Sequence, residues 1–335
     1  MSNVEIRRDR KAGRITLARP QALNALSREM AQAIDAALIG WRDDPEVALV
    51  IIDALGERAF CAGGDIAAVY HAGLAGDHQL GRDFFRDEYA MNARIAEFPK
   101  PVVAFMQGFV MGGGVGIGGH ASHRIVGDTT QVAMPEAGIG MVPDVGGSWL
   151  LGHAPGRCGE YLGLTGARMG AGDAIHTGFA DAYLPEAAWP ALIERLAGTG
   201  DPGVIRPQPA PASALAEQDL SAFGGDSPAA IIASLEGAGA EPILAPLRRN
   251  SPLSMAATLA LVRAARGDGS LRDSLSREFR FTARATAEGD FIEGVRAQII
   301  DKDRNPRWTA DASPAHVRAM LAPLGAEELQ WEEQP

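Results

Sequence analysis

Two cysteines, Cys61 and Cys158, are all that 335 residues contain, and they stand far apart. They form no C-x-x-C pair and no His/Cys cluster with zinc spacing accompanies them, so neither a disulfide framework nor a metal site is expected. Scarce cysteine fits a reducing setting, and cytoplasmic residence is the expectation. Positive charge is also short. The chain has 31 Lys and Arg against 42 Asp and Glu, a net charge of -11. That argues against nucleic acid as a partner, because such affinity rests on cations that neutralise phosphates. No membrane-spanning run is present either: the uncharged stretch from Pro101 to His123 holds seven glycines and two histidines, and reads as strand, turn and buried helix. The opening residues lack the apolar core of a signal peptide, and Glu5 and Asp9 are unlike a transit peptide.

What is present is ordinary globular material, with 46% hydrophobic residues, 40 Gly and 21 Pro. The length suggests one large domain with an appendage, or two domains. Arg14 to Leu17 reads as a strand stopped by Pro20, and Ser27 as the N-cap of a helix running to about Asp43. Met30, Ile34, Leu38 and Trp41 give that helix one apolar face. Val47 to Ile52 is apolar without alternation, the pattern of a buried strand, and Pro101 to Met106 and His123 to Val126 are further strands. The fold class is therefore α/β. Four prolines between Asp201 and Pro211 mark a linker or surface excursion. The expected division is a core over residues 1–190, a Pro-rich linker over 191–226 and a mainly helical region over 227–335.

Three segments place glycines near strand ends: Ala59 to Ile66, Met111 to Gly119 and Met134 to Gly147. Glycine lets main chain approach a ligand closely, so two such turns can aim two N–H donors at one oxygen. Gly114, Gly116 and Gly119 formally fit a dinucleotide fingerprint, but tight helix packing explains them equally well. Glu136 and Asp144 lie in a run, Ile125 to Gly156, without any Lys or Arg. If buried, two neighbouring acids would raise one another's proton affinity and suit acid–base work; the alternative is a pair of solvated loop acids.

All three segments together resemble the crotonase (enoyl-CoA hydratase/isomerase) superfamily. Its general signatures match Leu17 to Leu26, Phe60 to Ile66 and Gly112 to Gly114. Phe84 to Tyr89, Met134 to Gly147 and Asp290 to Asp303 resemble the branch that hydrolyses 3-hydroxyisobutyryl-CoA. The resemblance implies a spiral of ββα turns with a helical C-terminal region. It implies an acyl-CoA substrate, coenzyme A being part of that substrate, with no separate cofactor. The thioester oxygen would be held by the N–H groups of Gly64 and Gly113, and CoA would run along Gln21, Ala22, Leu23, Ala62, Asp65 and Ile66. Hydratases of the superfamily place a first glutamate where this chain has Gly116, so two-carboxylate hydration is not expected. The resemblance assigns catalysis to Glu136 and Asp144 and substrate contact to Glu88. Whether Glu136 attacks the thioester or activates water stays open, as do a homo-oligomer, an isomerase of the same fold and a silent CoA-binding protein.

His120 and His123 are expected to be structural residues of a helix end, and Cys61 a small core residue. Arg296, Lys302 and Arg307 are expected to pair with Glu293, Asp301 and Asp303 more than to meet CoA phosphates.

Overall fold

The computed structural model describes residues 3–237 and 239–331. Its strands are β1 (Val4–Asp9), β2 (Ala12–Leu17), β3 (Leu49–Ala54), β4 (Ala59–Cys61), β5 (Val102–Met106), β6 (Phe109–Met111), β7 (His123–Val126), β8 (Gln131–Ala133) and β9 (Ala182–Tyr183). They form a six-stranded sheet in the order β1-β2-β3-β5-β7-β9 and a three-stranded sheet in the order β4-β6-β8. Among the strand pairs of the described residues, only β1–β2 is antiparallel and the others are parallel. Each successive pair, β3 and β4, β5 and β6, β7 and β8, gives one strand to each sheet. That repeat is the ββα spiral.

The chain groups into two units. One comprises the chain up to Asp65, Asp87–Ala133 and Arg168–Glu217; the other comprises Ile66–Arg86, Met134–Ala167 and the chain from Gln218. All strands lie in the first unit. β3 lacks alternation because both its faces are covered. Leu49 and Ile51 join Val103, Phe105 and Ile125 in a cluster roofed by Trp189, Leu192 and Leu196 of the helix Trp189–Thr199. Ser27 caps the helix Arg28–Trp41 by accepting the Met30 N–H, and Met30, Ile34 and Leu38 are its buried face. Trp41 closes that face only half-buried.

The second unit is helical, as expected of the C-terminal region. Its longer helices are Pro252–Ala265 and Leu271–Glu288. The four-proline stretch holds a single short turn, Pro202–Val204. No described helix is long and apolar enough to cross a membrane. Among the described residues no His, Cys, Asp and Glu gather as a metal-binding group.

Candidate active site

In the first unit, the segment from Arg19 to Leu26 lies beside the turn from Ala62 to Asp65. Leu23 and Asn24 take the left-handed conformation, which Asn24 locks by accepting the Arg19 N–H and donating to the carbonyls of Leu55 and Ala59. Arg19, a residue the sequence reading passed over, reaches back to the Ala25 carbonyl and the Asp65 carboxylate, both within 3.0 Å. The Asp65 side chain is thus engaged with Arg19, and Ala62 donates its N–H to Leu23. Gln21 and Ala22 end the short turn Pro20–Ala22, and Ile66 opens the helix Ala67–Leu74.

Leu26 bridges Gly64 in parallel register, using the Gly63 carbonyl and the Asp65 N–H. That pattern turns the Gly64 N–H away from Leu26. Gly113 begins the helix Gly113–Gly118 after Gly112 at φ +47, so its N–H has no intrahelical acceptor. A Cβ placed on Gly113 would stand 3.4 Å from the Gly64 nitrogen and 2.6 Å from Glu88 Oε1. Gly64, Gly113 and the buried carboxyl of Glu88 therefore lie close together.

Cys61 lies beneath this turn, fully buried, and burial pushes its thiol up to about 12. It is a core residue without thiolate character. Peptide mapping after iodoacetamide at mildly alkaline pH is expected to find Cys61 unmodified in the native protein; rapid alkylation would contradict the burial.

His120 and His123 are not a helix-end pair. The helix stops at Gly118, His120 sits in the turn, and His123 is the first residue of β7, with Nδ1 3.0 Å from the Ser122 hydroxyl. The turn residues after the helix make i, i+3 spacing uninformative there.

In the second unit, Glu136 and Asp144 are both buried, each 6% exposed, so the solvated-loop alternative does not hold. Glu136 opens the tight turn Glu136–Ile139. That turn is gripped by its neighbours: Ser251 donates its N–H to the Ala137 carbonyl and its hydroxyl to the buried Asp290. Asp290 also accepts the N–H groups of Thr309 and Ala310. Gly294 packs so closely that a Cβ there would lie 2.2 Å from the carbonyl carbon of Ile139. Gly294→Ala is accordingly expected to displace the Glu136 turn and destabilise the protein by about 1–3 kcal/mol, read as a lower Tm together with lost turnover. An unchanged Tm would show that this contact yields.

Asp144 precedes the helix Gly147–His153. A third acid, missed in the sequence, supports it. Glu278 is fully buried on the helix Leu271–Glu288 and accepts the Gly146 N–H, the Ser148 N–H and the Ser148 hydroxyl. Burial first, and then the charge of Asp144, hold its carboxyl up at about 7 against those donors. Its signal lay in the helical period, since Leu271, Leu275, Phe279 and Thr282 share its buried surroundings.

Arg296 meets the ion-pair expectation, contacting Glu293, Asp301 and Asp303, each at 2.7 Å. Arg307 meets Glu293 through its backbone N–H, and Lys302 takes a left-handed φ of +58.

A family model described as enoyl-CoA hydratase/isomerase matches residues 12–321. The chain belongs to the enoyl-CoA hydratase/isomerase family. The family's fold is the two-sheet spiral with helical C-terminal region described above. Within it, the mitochondrial 3-hydroxyisobutyryl-CoA hydrolase of Xenopus tropicalis is 38% identical, over 95% of this chain and 88% of that protein. The Gallus gallus protein of the same name is 36% identical, over 98% and 91%. A crystal structure named as an enoyl-CoA hydratase from Rhodobacter sphaeroides 2.4.1 superposes with a TM-score of 0.95 at 55% identity, covering 98% of this chain and all of that one (100%). A carnitinyl-CoA dehydratase from Mycobacterium thermoresistibile gives 0.94 at 39% identity, with 100% of both chains covered. These relatives carry hydrolase, hydratase and dehydratase names, so the choice among reactions falls to the site residues.

Proposed function

We propose that the protein is an acyl-CoA thioester hydrolase that converts 3-hydroxyisobutyryl-CoA to 3-hydroxyisobutyrate and CoA, a step of valine breakdown. The observation that carries this reading is the inventory of acids: Glu136 and Asp144 are both buried, while position 116 holds a glycine. Adding water across a double bond with two carboxylates needs an acid at that position, and glycine moves no proton. The hydrolase names of the curated relatives support the same choice.

In this reading the N–H groups of Gly64 and Gly113 take up the charge that develops on the thioester oxygen, a service worth about a hundredfold or more in rate for each donor. Glu88 contacts the acyl part. Glu136 either attacks the thioester carbonyl, expelling the CoA thiolate and leaving a mixed anhydride for water to open, or removes a proton from the attacking water. Asp144 binds the substrate hydroxyl and assists proton transfer. CoA runs along Gln21, Ala22, Leu23, Ala62, Asp65 and Ile66, mostly through main-chain groups. The reaction needs no cofactor beyond water and the CoA carried by its substrate. The compartment is part of the proposal: two buried free cysteines fit a reducing interior such as the cytoplasm, whereas the animal relatives are named mitochondrial.

Free-thiol release from 3-hydroxyisobutyryl-CoA, crotonyl-CoA and a 3-enoyl-CoA tests the reading. Release from the first alone is expected. Migration of the double bond in the third, without thiol release, would make the single-carboxylate isomerase the better account.

A further inference from the structure

The turn that carries Asp144 has a conformation that must be held from outside. Val145 sits at φ +53 and Gly146 at φ +78, and a β-branched residue in the left-handed region persists only where its surroundings over-determine it. The helix Gly147–His153 that follows has no side-chain N-cap of its own. What fixes this turn comes from far along the chain. One oxygen of Glu278 accepts the Gly146 N–H at 2.8 Å; the other accepts the Ser148 N–H at 2.9 Å and the Ser148 hydroxyl at 2.5 Å.

Glu278 is a costly way to do this. It is fully buried, and among the described residues no ion pair neutralises it. A buried carboxyl without a cation is disfavoured as a packing element, so three hydrogen bonds and a location behind Asp144 call for a role beyond filling space. The charges around it are few. On its own helix, Arg277 is paired with Asp268, and from the turn side Asp144 acts on it. The helices Ala67–Leu74, Pro252–Ala265, Phe291–Val295 and Pro314–Met320 also pack on Leu271–Glu288, and from the helix Gln79–Ala96 Arg82 donates to the Ala283 carbonyl and Arg86, bonded to Asp83, lies over the Phe279 ring. Their titratable groups are engaged elsewhere or lie outside: His71 against the Tyr70 ring, Arg263 on the Phe223 and Gly225 carbonyls, Glu293 on Arg296, His316 by the Glu288 carbonyl and Arg318 exposed.

We infer that Glu278 is the positioning residue of Asp144: its carboxyl pins the Val145–Ser148 turn that follows the acid. This rests on the catalytic reading of Asp144 given above. Glu278 touches no reacting atom in this scheme. It acts through the backbone of the turn.

The test uses the full chain and two readouts. Amide proton shifts of Gly146 and Ser148 are followed against pH in the parent, in Asp144→Asn and in Glu278→Gln. In the parent they are expected to titrate near neutral pH. Asp144→Asn moves the midpoint lower because the repelling charge is gone, and Glu278→Gln leaves the shifts without that titration. In parallel, kcat for 3-hydroxyisobutyryl-CoA is expected to fall by about tenfold to a hundredfold in folded Glu278→Gln, with KM close to the parental value. A folded Glu278→Gln with parental kcat, or with Gly146 and Ser148 shifts that still titrate as in the parent, overturns the assignment. A parent that releases no CoA overturns the hydrolase reading instead, and the amide titration still decides whether Glu278 holds the turn.

Discussion

Glu136→Gln is expected to hydrolyse 3-hydroxyisobutyryl-CoA at about a thousandth of the parental rate or less, while binding CoA nearly as tightly as the parent. Glutamine preserves the shape of the side chain and removes both its charge and its basicity, so the turn Glu136–Ile139 keeps its grip on Ser251 through the Ala137 carbonyl. In the proposed reading CoA contacts belong to other segments, Gln21 to Leu23 and Ala62 to Ile66. Calorimetric titration with CoA and a thiol-release assay on the same preparation separate the two effects. Near-parental hydrolysis would reduce Glu136 to a structural acid.

The second large effect falls on Asp144. Asp144→Gly removes the acid, and hydrolysis of the 3-hydroxyacyl thioester should drop by about a hundredfold or more with far less change in CoA binding. Hydratase activity should not appear, because Gly116 still leaves the first acid position empty. Two physical consequences accompany the loss. The Val145–Gly146 turn stays anchored on Glu278 through Gly146 and Ser148, so the fold should survive. Glu278 also loses the neighbouring charge that raises its proton affinity, so its titration should move to lower pH. Hydrolysis as fast as the parent's would remove the case for the hydrolase branch.

The candidate residues stood out in the sequence because they sit in contiguous blocks. The Gly64 turn, the Gly112 to Gly114 turn and the two acids each lie in a short Gly-rich segment. The helix after Ser27 was legible for a similar reason, since its cap and its 3.6-residue period agree. Strand β3 was placed two residues early, at Val47 to Ile52 instead of Leu49–Ala54, because a run buried on both faces has no alternation to set its ends. Glu278 was legible only in part. The helical period puts it on the buried face with Leu271, Leu275 and Thr282, but only the tertiary fold shows that its partners are the Gly146 and Ser148 amides, more than a hundred residues earlier. Arg19 was hidden likewise, because its partner Asp65 stands in another motif. Residues that hold a site from a distant segment leave no local spacing to read.

Turnover of 3-hydroxyisobutyryl-CoA in heavy-oxygen water, followed by mass analysis of the acid, the remaining thioester and the peptide containing Glu136, tests the central claim most directly. The account predicts label at the carboxyl level alone. It appears in the carboxylate of the released acid if Glu136 activates water, or also in the Glu136 side chain if an anhydride opens at the glutamyl carbonyl; the hydroxyl oxygen of the substrate stays unlabelled. Label in the hydroxyl of thioester still attached to CoA, without free thiol, would mean reversible loss and addition of water, and would contradict the hydrolase assignment.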